Sequence, residues 1–479
     1  MIRLVYCLNR LVIAVFITIS LIIPKNLQAQ NVWTLEACIN HAHKNNINIR
    51  QQELGVEIAR ENLIRSLSDR FPSLNANASH GYNFGRTVDP FTNEFATESV
   101  RSNNFSLSSG MVLFSGFQIN NAIDRSRLEL DASQHDVEAI KNDISLAIAA
   151  AYLDILMSEE FVEVLEGQLD VTHQQVERMK KFVEAGTVAR GNLLTIEAQA
   201  ASEELQLINA QNRLIMAYIN LAQLLDLRET DDFRIHIPDI EVSPGEIIDM
   251  SPVEIYESAV SVQPEVKSSQ IRVLSAEKDV QIARGGRYPT ISIGGSYGTG
   301  FSGASREVTD ITEGERIIGW TESNELVYGP DVDFQTQIKP FVDQLEDNLN
   351  RSIGFYLTIP VFNNFQTRTA VNRSKVALEN SKLSNRLIRD QFFKAVQQSH
   401  ADAKASLKRY EATKKNVGAL EESFRYTEQR FNVGMADALE YNDAKNRLAA
   451  AESELLQSKF EFVFRTKILD FYMGKPIVL

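Results

Sequence analysis

Gln118 and Gly186 lie 68 positions apart, and so do Gln366 and Gly434. Neither interval contains a proline, and glycine is almost absent from both. Apolar residues recur at helical spacing across the first, through Ile119, Ile123, Leu128, Ile140, Ile144, Ile148, Leu153 and Leu156, then Val162, Leu165 and Leu169. Helices over 118–186 and 366–433 would approach ~100 Å at about 1.5 Å per residue. Uncapped helical periodicity beyond ~25 residues indicates coiled-coil or array packing rather than a compact domain.

The two intervals belong to a tandem duplication. Arg70-Phe71-Pro72-Ser73-Leu74 matches Arg287-Tyr288-Pro289-Thr290-Ile291 at an offset of 217, with Val56 and Ala59 matching Val273 and Ala276 upstream. Phe114-Ser115-Gly116-Phe117-Gln118 matches Phe362-Asn363-Asn364-Phe365-Gln366 at an offset of 248, which Gly186 and Gly434 keep. Each half is expected to run helix, strand, loop, strand, very long helix, tight turn, helix. The first repeat spans 30–228 and the second 251–479, with return helices over 193–227 and 438–472. The proline-containing, acidic segment 229–250 is the connector. Ser251-Pro252-Val253-Glu254 carries an N-cap serine, a proline at the first helical position and a capping-box glutamate, and Thr34-Leu35-Glu36 opens the first half in a similar way.

Four short segments, about 72–85, 104–114, 289–301 and 351–361, alternate with period two. Leu74, Ala76, Ala78, His80, Tyr82 and Phe84 interleave with Asn75, Asn77, Ser79, Gly81 and Asn83. Phe105, Leu107, Met111 and Leu113 interleave with Asn104, Ser106, Ser108 and Gly110; Ile291, Ile293, Tyr297 and Phe301 interleave with Ser292, Gly294, Ser296 and Gly298. Ile353, Phe355, Leu357, Ile359 and Val361 interleave with Ser352, Gly354 and Thr358. Such alternation makes sheets with one apolar and one polar face. An ordinary sheet on a soluble core is the plain reading. Strand lengths near the ~9–11 residues of a transmembrane strand, Asn/Ser/Gly polar faces and aromatic strand ends favour a lipid-facing barrel. Four strands cannot close, and an open edge in hydrocarbon leaves backbone groups unpaired. Three copies would supply twelve strands, so the expected assembly is a homotrimer.

The N-terminus has Arg3 and Arg10 flanking a short n-region, followed by an apolar run, Leu11 to Ile23, and then Leu27-Gln28-Ala29. It is a secretory signal peptide over 1–29, an uncleaved anchor helix being the competing reading. Of two cysteines, Cys7 leaves with the signal. Cys38 then stands alone, without a convincing lipidation context, and is expected on a helix. A net charge of −14 spread along the chain, with no basic cluster, excludes duplex nucleic acid as partner. Gly298-Thr299-Gly300-Phe301-Ser302-Gly303 matches a dinucleotide fingerprint only in letters, because a loop rather than a helix should follow. His41 and His43, two apart on a helix, point to different sides. No nucleophile–base pair, catalytic residue, metal-ligand spacing or cofactor site emerges.

Leu357-Thr358-Ile359-Pro360-Val361-Phe362 resembles the strand-to-helix junction of TolC-type outer-membrane efflux proteins. Val32-Trp33-Thr34-Leu35-Glu36-Ala37 resembles their N-terminal entry, and Phe182-Val183-Glu184-Ala185-Gly186 and Phe431-Asn432-Val433-Gly434 their two periplasmic tip turns. The likeness spans the mature chain. It implies a mainly α fold with a transmembrane β-barrel: a TolC-like α/β barrel, homotrimeric, with a 12-stranded barrel in the outer membrane and coiled-coil helices in the periplasm. The implied function is a passive conduit to the exterior, working with a periplasmic adaptor (membrane fusion) protein and an inner-membrane pump such as an RND or ABC transporter. The resemblance places a periplasmic aperture at Glu440 and Asp443, with Asn192 where relatives usually carry an aspartate. Adaptor contacts fall at the tip turns Gly186, Thr187, Gly434 and Met435. Ala436 replaces a basic residue common in relatives, so the acidic ring is implied without a salt-bridge lock. The alternatives are the outer-membrane factor of a type I protein secretion system, a periplasmic coiled-coil adaptor or scaffold, and a surface receptor working through an acidic extracellular loop over 303–348.

Overall fold

A computed structural model describes residues 32–89, 91–96, 99–228, 233–238 and 248–477. The signal-peptide assignment and most of the 229–250 connector lie outside the described residues. In chain order the elements are β1 (Val32–Trp33), α1 (Leu35–Asn45), α2 (Ile47–Ser68), β2 (Ser73–Asn83), β3 (Thr87–Val88), β4 (Phe95–Ala96), β5 (Val100–Ser115), α3 (Gln118–Glu184) and α4 (Arg190–Leu224). They continue with β6 (Arg234–Ile235), α5 (Pro252–Val260), α6 (Pro264–Gly285), β7 (Thr290–Ser302), β8 (Arg306–Trp320), β9 (Leu326–Ile338), α7 (Phe341–Asp347), β10 (Asn350–Thr358), α8 (Gln366–Asn432) and α9 (Ala438–Tyr472). No described helix is long and apolar enough to cross a membrane.

The duplication is visible in the backbone. Helices α3 and α8 each have 67 residues, and α4 and α9 each have 35. Positive φ recurs at the 248 offset: Gly116 with Asn364, Phe117 with Phe365, Gly186 with Gly434, and Asp226 with Gly474. These are the left-handed residues that let the chain leave a strand or end a helix.

The chain divides into two compact units. One comprises Met1–Val56, Ala132–Ser269 and Ser384–Leu479. Among the described residues its regular elements are helices, apart from the parallel pair β1–β6. Its largest apolar cluster gathers Cys38, Ile49, Ile148, Tyr152, Leu156 and Leu221. Burial holds the Cys38 thiol protonated, pushed up to about 12. Thr34 caps α1 by accepting from the Ala37 N–H, and Ser251 and Glu254 close a reciprocal capping box on α5. His41 packs edge-on against Trp33, while His43 Nε2 lies 2.9 Å from Ser145 Oγ.

The other unit comprises Glu57–Asp131 and Gln270–Leu383. Its centre is a four-stranded antiparallel sheet in the order β10-β7-β5-β2. Register aligns the four alternations into continuous rows. Asn75, Ser108, Ser296 and Ser352 form a polar row, and Met111, Ile293 and Phe355 an apolar one. Ile353, Phe355 and Leu357 are exposed on that apolar face. Leu113 departs from the expected alternation. A bulge between Val112 and Phe114 makes it the extra residue and brings Phe114 opposite Ile291. The glycine-rich fingerprint of 298–303 runs through the end of β7, not a phosphate-binding turn.

The segment 303–348, expected as a loop, is a second correction. It folds as a long antiparallel ribbon, β8–β9, followed by the short helix α7. Bulges at Val308/Asp310 and Ile317/Gly319 break the period-two signal on β8, which hid the strand in the sequence.

Candidate functional site

The two helix-hairpin turns of the helical unit, residues 185–189 and 433–437, have the same backbone design. Gly186 sits at φ +72° and Gly434 at φ +77°. Thr187 N–H donates to the Phe182 carbonyl and Gly186 N–H to Val183, both at 3.0 Å. Met435 N–H donates to Arg430 at 2.8 Å and Gly434 N–H to Phe431 at 3.1 Å. Both are Schellman caps, which satisfy the last carbonyls of a helix while reversing the chain. The following helices start differently. Asp437 caps α9 by accepting from Glu440 N–H at 2.8 Å, whereas Ala189 offers α4 no side-chain cap.

A cavity of about 570 Å³ lies between the turns, lined by Arg178, Phe182, Thr187, Asn192, Gly434 and Asp437 among others. Three of the residues singled out from the sequence, Thr187, Asn192 and Gly434, thus face one groove. Gly186 and Met435 shape the turns beside it. Arg178 near the end of α3 reaches across to the end of α8, donating to Asn432 Oδ1 at 2.7 Å, and its guanidinium lies over the Phe182 ring. Beneath, Phe431 stacks on buried Tyr441 at 4.7 Å between ring centres. Burial first, then the charges of Glu428 and Glu203, hold the Tyr441 phenol protonated, pushed up to about 12.

Glu440 and Asp443 are exposed on the first turns of α9, and each has a cation in its own chain. Arg430 Nη1 donates to Glu440 Oε1 at 2.5 Å, and its Nη2 to the Met435 carbonyl at 3.2 Å. Arg447 pairs with Asp443 at 2.9 Å. Ala436 therefore does not leave the acidic positions unpaired, because Arg430 on the preceding helix serves Glu440. That partner was missed in the sequence.

A buried polar cluster was missed as well. Lys445 on α9 donates to Glu203 on α4 at 2.9 Å and to the Gln168 carbonyl on α3 at 3.1 Å. Thr172 accepts from Lys445 and donates to Glu203. The signal was present: Ile196, Ala200, Glu203, Leu207 and Ala210 keep an unbroken 4-3-4-3 spacing, with a carboxylate at a core position.

The sequence pattern of the family described as "Outer membrane efflux protein" matches residues 38–226 and 255–462. The chain is 20% identical over 438 residues to the outer membrane efflux protein BepC of Brucella suis biovar 1, spanning 91% of this chain and 84% of that one. It is 20% identical over 437 residues to the outer membrane protein TolC of Vibrio cholerae serotype O1, spanning 90% and 89%. Its fold is that of the outer membrane protein VceC from Vibrio cholerae, with a TM-score of 0.71 at 17% identity, covering 92% of this chain and 96% of that one. With the pattern matching most of both repeats and the fold shared over 92% of its length, this chain belongs to the outer membrane efflux protein family.

Proposed function

We propose that the chain is one third of a trimeric outer-membrane conduit, which carries substrate handed over by a periplasmic adaptor and an inner-membrane pump. The carrying observation is the sheet. Its edge strands, β10 and β2, have no partner on their outer sides among the described residues, and four mutually antiparallel strands make these edges run in opposite directions. β10 of one copy then meets β2 of the next in the antiparallel sense, and a ring of three closes with twelve strands. Closure removes the unpaired backbone groups that hydrocarbon would penalise by several kcal/mol each. The exposed apolar face turns to lipid, and the Asn/Ser/Gly rows line a wet lumen.

The groove between the tip turns is where the adaptor docks, with Thr187 and Gly434 in the contact and Gly186 and Met435 setting its shape. Glu440, Asp443 and Asn192 ring the aperture. The family is one of channels rather than enzymes, and the conduit is passive; the pump supplies the energy.

The test uses the mature chain purified in detergent and placed in planar bilayers. A particle of three chains with discrete single-channel conductance is expected. A monodisperse monomer that needs no detergent and conducts nothing overturns the proposal.

A further inference from the structure

The ribbon β8–β9 carries a surface that the conduit does not need. Register sorts its residues onto two faces. One bears Glu307, Asp310, Thr312, Asp331 and Asp333, with Arg316 4.0 Å from Asp331 and Gln337 bonded to Glu307. The other is apolar: Ile311 sits opposite Phe334, Ile317 opposite Tyr328, and Trp320 opposite Leu326. Ile311, Ile317, Tyr328 and Phe334 are 52–55% exposed and Trp320 is 64% exposed. A two-stranded ribbon is marginal alone, and a contiguous exposed apolar face marks a contact surface.

Three features choose the occupant. First, the ribbon's outer edges are blunted, by two bulges in β8 and by Pro330 in β9, so a partner adds to the face rather than as a further strand. Second, residues 306–338 hold eight carboxylates against two arginines, which repels an anionic lipid surface. Third, Glu313 and Glu315 lie in the middle of the apolar face, opposite Val332 and Pro330. Either face of a second copy's ribbon would bring further carboxylates against them, Glu313 and Glu315 on one face or Asp310, Asp331 and Asp333 on the other, which costs free energy. A partner carrying lysine or arginine among apolar residues satisfies both requirements.

The ribbon is also held at its root. Buried Gln344 accepts from the Ser302 N–H at 2.9 Å and donates to the Ser302 and Lys339 carbonyls at 3.0 and 2.9 Å. Asn348 donates to the Gly300 carbonyl at 2.8 Å. A rigid root lowers the ordering cost of docking. We infer that the apolar face of β8–β9 is a docking surface for a second protein, whose contact patch is apolar with basic residues matched to Glu313 and Glu315.

The test places a benzophenone side chain at position 334 of the full chain in the outer membrane of living cells. The expected result is a discrete protein adduct whose added mass is not that of a second copy. Its yield should fall about tenfold, the loss of roughly 1.4 kcal/mol, in Glu313→Lys/Glu315→Lys and in the milder Glu313→Gln/Glu315→Gln. Asp331→Lys/Asp333→Lys, on the opposite face, should leave it unchanged. An adduct between two copies, no protein adduct, or one indifferent to Glu313 and Glu315 overturns the inference. Channel conductance of the same variants, expected to be unchanged, keeps this question apart from the conduit proposal.

Discussion

Lys445 Nζ lies 2.9 Å from Glu203 Oε1, with 9% and 5% of the two side chains exposed, so α9 and α4 are joined by an ion pair sealed from water. Thr172 and the Gln168 carbonyl fill the remaining hydrogen-bonding capacity from α3. A sealed pair is costly to break, because one charge is left without a partner, and much cheaper to replace whole. Lys445→Met alone should destabilise the chain by about 3–5 kcal/mol, whereas Lys445→Met/Glu203→Leu should be neutral or stabilising by about 1–4 kcal/mol. Urea unfolding followed by circular dichroism in detergent reads both. A single variant no worse than the double would show that the pair is not sealed.

Much of this fold is written at periods the eye can follow. The proline-free intervals from Gln118 and Gln366 mark α3 and α8, and Gly186 and Gly434 mark the turns, because a helix ends where only a left-handed residue fits. The four sheet strands show because lipid and lumen demand opposite faces. The ribbon was hidden because bulges move Ile311 and Trp320 three positions from Val308 and Ile317, a spacing that reads as neither strand nor loop. At the candidate site, Glu440 and Asp443 were legible as acidic positions, but their state was not. Arg430 reaches Glu440 only because the five-residue turn brings the two helices side by side. Nothing in the local sequence announces that.

The turn glycines make a graded prediction. A Cβ added at Gly186 or Gly434 meets nothing within 4 Å, so alanine there suffers only the left-handed backbone cost of about 1–2 kcal/mol. Gly116, at φ +59°, is different: its Cβ would lie 2.4 Å from the Gly285 carbonyl oxygen and 2.9 Å from the Tyr288 Cβ. Gly116→Ala should therefore lose more stability than either turn variant. The ranking is checked by the yield of assembled protein and the urea midpoint, and equal losses at all three positions would contradict it.

Glu452 on α9 gives a pH dependence with a definite sign. Burial is the main cause that raises its carboxyl above the ordinary 4.5, with Glu421 adding to the rise and the Gln168 amide at 3.3 Å opposing it. A carboxylate with a raised folded pKa loses stability as pH climbs from the unfolded value through the folded one. Glu452→Gln keeps an acceptor for Gln168 without the charge. It should be more stable than the parent at pH 7, with the difference shrinking toward zero below about pH 4.5, where both side chains are neutral. Unfolding midpoints at pH 4 and pH 7 decide it; a gap that stays constant with pH would exclude Glu452 as its source.

The aperture prediction turns on Arg430. If Glu440 and Asp443 ring the axis, replacing both with alanine should weaken block of single-channel current by multivalent cations. The Arg430–Glu440 pair is half exposed, so its contribution is modest, roughly 0.2–1 kcal/mol. Removing the arginine nevertheless frees a carboxylate and deletes a positive charge beside it. Arg430→Ala should thus strengthen cation block by about 1.4- to 5-fold, the opposite direction to Glu440→Ala. Arg447→Ala, acting on Asp443 through its 2.9 Å pair, should move block the same way. Block that shifts in neither direction in these variants would remove both carboxylates from the path of the ions.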